Sequence, residues 1–180
     1  TSLAEAYINA DGSYDGRYKY TVSNIDSLAQ LGVVSYDSSY QNTGYFLEKF
    51  AGKKANQSTG GGNWELNFPQ NFYDIRLADS YLMEAEALVR GGGNTARAQA
   101  LLDAVRTRSG NEPIPATFEN IFKERRLELA GEGHRWYDLV RTGKAAEALK
   151  DRGYVEGKHD KLPIPLLELN NTVLEQDPAY

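Results

Sequence analysis

Apolar residues that recur every three or four positions between residues 77 and 105 constrain the fold more than any other feature of the sequence. Such spacing places side chains along one face of an α-helix. Two series, separated by glycines at positions 91–93, comprise Leu77, Ala78, Tyr81, Leu82, Ala85, Leu88 and Val89, then Ala98, Leu101, Leu102 and Val105. Because glycine readily ends a helix, the pattern predicts two helices joined by a short turn, with Asn94 or Thr95 capping the second.

The helical pattern continues towards the carboxyl end of the chain. Thr117 is a suitable N-cap for a third helix, which glycines interrupt at positions 131 and 133. A fourth helix is expected from the region of Trp136 towards Leu149. The prolines at positions 163 and 165 predict an extended tail, followed by a short helical turn that ends near Leu169. Helix pairs of this size resemble tetratricopeptide units, although the internal match is too weak to define a repeat.

Residues 1–72 differ in composition from residues 73–180. The first segment is rich in aromatic, Asn, Ser and Gly residues and lacks a sustained helical period, which is typical of irregular loops. It has one candidate helix, from Ser23 to Leu31, and one candidate strand at residues 44–50. We therefore expect a mainly α fold, in which tetratricopeptide-like helical hairpins pack with long irregular loops and a short β-hairpin. At 180 residues, both segments are expected to form one domain.

Composition excludes several classes of function. The net charge of −5 does not suit nucleic-acid binding, since neutralising phosphates requires a basic face. The lack of cysteine removes disulfides, thiolate metal sites and cysteine nucleophiles. With two histidines and no phosphate-binding or nucleophile motif, the sequence predicts no catalytic residues, no cofactor and no metal. A first residue other than Met, without signal peptide or lipidation cysteine, indicates a fragment of a longer protein.

Charged and apolar residues interleave between residues 124 and 141, and two interpretations of this tract are possible. In one, Glu128, Glu132, His134 and Asp138 form an acid–base or metal-binding cluster. In the other, which we favour, carboxylates and guanidiniums fasten helices together. The favoured interpretation assigns structural roles to Glu124, Arg125, Arg126, Glu128, Arg135, Trp136, Asp138 and Arg141. Asp138 should pair with Arg141 along one helix, and Trp136 should pack in the core.

This tract and its neighbours carry a resemblance to a known family. The motifs are RLADSYLMEAEA at 76–87, ALLDAVRTR at 100–108, ERRLEL at 124–129, EGHRWYDLVR at 132–141, LPIP at 162–165 and QDPAY at 176–180. In this order they resemble the C-terminal part of the SusD/RagB family of outer-membrane nutrient-binding lipoproteins. The resemblance covers residues 72–180 well and the first part of the chain poorly. Gly131 departs from the family, in which a bulky residue is common at this position.

The resemblance implies a function and a location. Proteins of this family lie on the outer face of the outer membrane and hold glycans or related nutrients. They deliver the ligand to a TonB-dependent transporter of the SusC type and are not enzymes. Their attachment to the membrane is through an N-terminal lipid anchor, which is absent from these 180 residues. The resemblance therefore implies a glycan and a transporter as partners.

Candidate ligand contacts lie in the loop-rich first segment. Sugar binding commonly uses aromatic side chains, on which the apolar face of a pyranose stacks, beside polar groups that bind its hydroxyls. Trp64 follows Asn63 and a run of glycines, while Tyr36 and Tyr40 lie among Ser, Asp, Gln and Asn residues. We predict these four residues as ligand contacts.

Two alternative functions remain open. The first is a helical protein-interaction scaffold of the transporter complex that does not bind sugar directly. The second is a glycoside hydrolase, which would need two carboxylates about 5–10 Å apart across a cleft. The candidates are Glu84, Glu86, Glu128 and Glu132. Glu84 and Glu86 make a poor pair, because they point to different sides of one predicted helix.

Overall fold

The computed structural model describes residues 2–63, 66–69, 71 and 73–180 and confirms the mainly α fold. The chain divides into two compact units, Thr1–Gly133 and His134–Tyr180. The first unit contains α1 (Ser2–Ala6), α2 (Tyr18–Thr21), β1 (Val22–Asn24), α3 (Ile25–Gln30), β2 (Tyr45–Leu47), a 3-10 helix (Lys54–Asn56), α4 (Leu77–Arg90), α5 (Thr95–Arg108) and α6 (Phe118–Glu128). The second contains α7 (His134–Arg141), α8 (Ala145–Ala148), a 3-10 helix (Lys150–Arg152) and α9 (Leu166–Leu169). The division into a loop-rich, ligand-facing segment 1–72 and a helical region 73–180, together forming one domain, stays a prediction.

Helices α4 and α5 form the predicted hairpin. The turn between them contains Gly92 in the left-handed conformation, at φ +67°. Asn94 then caps α5, because its side-chain oxygen accepts a hydrogen bond of 2.9 Å from the backbone N–H of Arg97. The two apolar series face each other and, with Ile121 of α6, form the main core. Its buried members are Ala78, Leu82, Ala85, Ala98, Leu101, Leu102, Val105 and Ile121.

Helix α6 connects this core to a second, smaller one. Thr117 is its N-cap, as predicted, and accepts a hydrogen bond from the backbone N–H of Asn120 at 3.2 Å. Towards its end, α6 contributes Leu127 to a cluster that also holds Ala4, Tyr7, Val22 and Ala130. The hydroxyl of Tyr7, fully buried, donates a hydrogen bond of 2.6 Å to the backbone carbonyl of Leu127. This contact fastens the first residues of the chain to α6.

The two strands pair in antiparallel register, with Val22 opposite Leu47. The predicted strand at residues 44–50 is confirmed over three residues. Its partner β1 was not predicted, and the chain between the strands includes α3, so the pair is not a tight hairpin. Helix α3 begins at Ile25, two residues later than predicted, because Ser23 and Asn24 belong to β1.

The second unit corrects two predictions. The expected fourth helix is split into α7 and α8 by Gly143, which has a left-handed φ of +69°. Trp136 was expected in the core but is 39% exposed. Trp136 lies in the first turn of α7, a helix of eight residues whose buried apolar side chain is Leu139. Its indole meets the ring of Tyr154 edge-on, at 5.9 Å between ring centres. The predicted short helix in the tail is confirmed as α9.

Within the described residues, no helix combines the length and apolarity that crossing a membrane requires.

Candidate functional site

Helix α6 presents a row of carboxylates to charged residues from four other parts of the first unit. Glu124 and Glu128 are one turn apart and therefore lie on the same face of the helix. Glu132 follows after Gly131, whose φ of +80° ends the helical path. A Cβ at position 131 would lie 2.7 Å from a methyl group of Leu47. This contact gives a physical reason for glycine where a bulky residue was expected from the resemblance.

The residues that pair with this row, together with the row itself, are here named the buried charge network. Its members are Asp15, Arg17, Lys49, Arg76, Arg106, Arg108, Glu124, Glu128 and Glu132. Arg17 donates to Glu124 at 2.6 Å and to Glu128 at 3.0 Å. Its other nitrogens donate to Asp15 at 2.6 and 3.0 Å. The segment before α2 is therefore tied to α6 by one arginine.

Two further cations reach the network from other segments. Arg76, the N-cap residue of α4, donates to Glu128 at 2.6 Å and to Glu132 at 2.7 and 2.8 Å. Lys49 donates to Glu132 and to the backbone carbonyl of Glu128. These contacts join the start of α4 and the segment after β2 to the end of α6.

The last turn of α5 supplies the remaining pairs. Arg106 donates to Glu124 and Arg108 to Glu128, at 2.7 and 2.6 Å. With these bonds, every carboxylate oxygen of Glu124, Glu128 and Glu132 accepts at least one hydrogen bond. These carboxylates are therefore engaged in charge-assisted hydrogen bonds to neighbouring segments. They are poorly suited to exchange protons with a substrate.

Acid is expected to weaken the network. Burial by itself raises the pKa of Glu132, but hydrogen bonds from Arg76 and Lys49 outweigh it and hold the pKa below its ordinary value of 4.5. For Asp15, too, burial by itself acts to raise the pKa. Hydrogen bonds from Arg17 outweigh this effect and hold the pKa below its ordinary value of 3.8. A carboxyl group whose pKa is lower in the folded chain stabilises the fold above the unfolded pKa, and this contribution is lost as the pH falls through the folded value.

We therefore expect the urea midpoint of unfolding to decrease as the pH is lowered from about 5 to about 3, with little change between about 6 and 8. Circular dichroism at a series of pH values measures this. The matched variant Asp15→Asn with Glu132→Gln should be less stable at neutral pH and show a shallower dependence on acid. Equal midpoints for the wild type at about pH 7 and about pH 3 would contradict the expectation.

Other residues of the tract form separate pairs. Arg125 donates to the buried carboxylate of Asp79 at 2.7 Å. Asp138 and Arg141 pair along α7 at 2.7 Å, as their spacing predicted. Arg126 and Arg135 are half-buried. The structural role assigned to the tract stays a prediction, because it is a statement about energies that only variants can measure.

The carboxylates considered for hydrolysis or metal binding are also paired. Glu84 forms an exposed pair with Arg97 at 2.8 Å, and Glu86 pairs with Arg90 one turn later at 3.1 Å. Glu128 belongs to the buried charge network. In the part of the chain that the structure describes, no three His, Asp or Glu side chains are grouped closely enough to hold a metal ion.

The predicted ligand contacts are placed differently from one another. Tyr36 is half-buried, donates its hydroxyl to the carboxylate of Asp26 and accepts a hydrogen bond from Asn42 at 3.1 Å. The bond to Asp26 raises the pKa of the Tyr36 phenol. Tyr40, in contrast, is 91% exposed, and Asn63 is exposed as well. Trp64 lies outside the described residues.

A cavity of about 410 Å³ opens beside the buried charge network. Its wall includes Arg17, Lys49, Arg76, Arg108, Glu128 and Glu132 of the network. Three aromatic side chains, Tyr20, Phe50 and Tyr73, also line it. We call it the tyrosine-lined cavity. The cavity could not be predicted from the sequence, because its residues come from segments far apart in the chain.

Comparison with known proteins identifies the family. The SusD family model matches residues 3–166, and the chain belongs to the SusD family. The predicted family and fold class are thereby confirmed. Among characterised sequences, SusD-like protein P25 of Formosa agariphila is 37% identical over 131 residues, which are 62% of this chain and 25% of that protein.

Two solved structures are similar over almost the entire chain. A laminarin binding SusD-like protein is 53% identical with a TM-score of 0.90, and the match covers 99% of this chain and 37% of that one. Surface glycan-binding protein A from Bacteroides thetaiotaomicron, in complex with laminarihexaose, is 33% identical with a TM-score of 0.86, over 100% of this chain and 40% of that one. The chain thus spans less than half the length of the relatives it matches.

Proposed function

We propose that this chain is part of a cell-surface protein that binds glycans, and that its ligand is laminarin or a closely related glucan. The observation that carries the proposal is the likeness to the laminarin binding SusD-like protein, 53% identical across 99% of this chain. The complex with laminarihexaose, similar over 100% of the chain, supports the same class of ligand.

We assign ligand contact to Tyr40, Asn63 and Trp64, with Tyr36 in support, and we refer to these proposed glucan-binding residues as the loop surface. Tyr40 is almost fully exposed, and an exposed phenol ring next to polar residues suits stacking with a pyranose. Tyr36 is less available, since its hydroxyl is occupied by Asp26 and its ring meets Phe46 edge-on. Its role is to keep the loop in place so that Tyr40 is presented.

We propose binding without hydrolysis. The matched relatives are named as glycan-binding proteins. In addition, the four glutamates considered as catalytic groups each form an ion pair with Arg or Lys, an arrangement that does not suit a general acid. Sugar release from laminarihexaose by the purified chain, measured by chromatography, would contradict this proposal.

Removing the aromatic side chains of the loop surface is expected to weaken glucan binding. Trp64→Ala and Tyr40→Ala should each raise the Kd for laminarihexaose about tenfold, the usual effect of losing an aromatic side chain at the centre of a binding surface. Calorimetry measures this, with Tyr137→Ala, an exposed tyrosine of the second unit, as the matched control. If a variant with both Trp64→Ala and Tyr40→Ala kept the wild-type affinity, these residues would not be the ligand contacts. If the wild type bound no glycan at all, the proposed glycan-binding function would be wrong.

For the whole protein, we propose a location on the outer membrane, through a lipid anchor, and a partnership with a TonB-dependent transporter of the SusC type. The helical scaffold function stays as the alternative. An exposed apolar set in the second unit favours a protein contact there: Leu162, Leu166, Leu167 and Val173. Co-purification with a β-barrel transporter that persists in the Tyr40 and Trp64 variants would favour the scaffold. Loss of glucan binding in the same variants would favour the proposed function.

A further inference from the structure

The tyrosine-lined cavity contains hydrogen-bond donors that the buried charge network does not use. Its two carboxylates, Glu128 and Glu132, already accept hydrogen bonds from the network at every oxygen. Arg108 differs from the other cations, because its side chain is 62% exposed. Among the described residues, its guanidinium donates through one Nη to Glu128. A guanidinium has five N–H groups, so the remaining ones can bind an acceptor that enters the cavity.

The network also has an excess of positive charge. In the described parts of the chain it holds five cationic side chains and four carboxylates. Arg108 is the most exposed of the five cations. Lys19 is not part of the lining, but its Nζ lies 4.9 Å from the ring centre of Tyr20, which is. Planar arginine donors bind a carboxylate with two parallel hydrogen bonds, so a carboxylate is the acceptor that suits this wall best.

Aromatic side chains make the cavity suitable for a sugar ring. Tyr73 is 64% exposed and lines the cavity together with Phe50 and Tyr20. Because Lys19 lies over the ring of Tyr20, Tyr73 is the better stacking surface for the apolar face of a pyranose. The volume of about 410 Å³ is within the usual range of small-molecule sites, about 300–1,000 Å³.

We propose that the tyrosine-lined cavity binds an acidic saccharide, with the carboxylate of a uronic acid held by Arg108 and the sugar ring against Tyr73. This site is additional to the proposed glucan-binding surface, which supplies none of the described residues of the cavity. Both proposed sites have aromatic rings, but they differ in the chemistry they select, because the cavity also has the exposed guanidinium of Arg108 to bind a carboxylate.

A pair of ligands that differ in a single group tests the proposal. The isotope-labelled 180-residue chain is titrated with glucuronic acid and, separately, with glucose, and amide chemical shifts are recorded. We expect glucuronic acid to shift the amides of cavity residues and to bind about tenfold more tightly than glucose, the scale of one charge-assisted interaction. Added salt should weaken the binding of glucuronic acid.

Variants identify the residues responsible. Arg108→Gln should lower the affinity for glucuronic acid about tenfold, while Arg97→Gln, an exposed arginine that also pairs with a glutamate, should leave it unchanged. Tyr73→Leu should lower it as well, although the charge is kept. Equal binding of glucose and glucuronic acid, or full binding by Arg108→Gln, overturns the proposal. Acetate binding as tightly as glucuronic acid also overturns it, because the site would then recognise an anion without a sugar. None of these outcomes affects laminarihexaose binding by the loop surface, so the two proposals fail separately.

Discussion

Replacing Glu128 with alanine is expected to destabilise the chain by about 3–5 kcal/mol, the range found when one partner of a buried ion pair is removed. Glu128 is only 3% exposed and accepts hydrogen bonds from Arg17, Arg76 and Arg108. Arg108 is exposed enough to be rehydrated after the change. Arg17, however, is buried. Without Glu128, its positive charge stays buried with one fewer carboxylate to balance it.

Urea unfolding followed by circular dichroism measures the loss. The matched control is Glu84→Ala, since Glu84 also pairs with an arginine but is exposed. Exposed ion pairs contribute about 0.2–1 kcal/mol, so this variant should remain close to the wild type. If Glu128→Ala and Glu84→Ala lowered the free energy of unfolding equally, the network would not hold the fold together in the way we infer.

The second large effect is expected at the pair between Asp79 and Arg125. Both residues are buried, and Arg125 donates to Asp79 at 2.7 Å. Arg125→Met should cost about 3–5 kcal/mol, because it leaves the carboxylate of Asp79 buried without this partner. The double variant Arg125→Met with Asp79→Leu should be more stable than the single one, since apolar residues of similar volume often replace a buried ion pair at little cost.

The double variant is not expected to recover the full stability of the wild type. Asp79 lies in the first turn of α4, where a negative charge interacts favourably with the helix dipole, by about 0.3–1 kcal/mol. The same urea experiment, applied to both single variants and to the double one, gives the coupling energy directly. If the double variant were less stable than Arg125→Met alone, the unpaired carboxylate of Asp79 would not explain the destabilisation caused by Arg125→Met.

The helices were predictable from the sequence because their signals are local. The apolar period of three and four residues specified α4 and α5, and Asn94 and Thr117 marked the beginnings of α5 and α6. Each of these signals lies within a few residues of the element that it defines. The same locality explains the errors: Gly143 divides the fourth helix through one backbone conformation that the apolar pattern does not encode, and strand β1 is only three residues long.

The predicted ligand surface illustrates a different limit. Aromatic residues among polar ones could be recognised at Tyr36 and Tyr40 from composition alone. Their accessibility could not, because it depends on which hydroxyl finds a partner within the folded loop. Tyr36 is engaged by Asp26 and Asn42, while Tyr40 is left in solvent.

By itself, the sequence determined helices α4 to α6, the caps of α5 and α6, and the family, and it led to the hypothesis that residues 124–141 are a charged scaffold. It could not determine what those charges bind. Glu124 meets Arg17 across 107 positions of sequence, and Glu128 meets Arg76 across 52. No local spacing encodes such pairs, since they form only when packing of the apolar faces brings distant segments together and removes the charges from water. Only the tertiary structure therefore decided the partners of the network, the cavity beside it and the exposed guanidinium of Arg108.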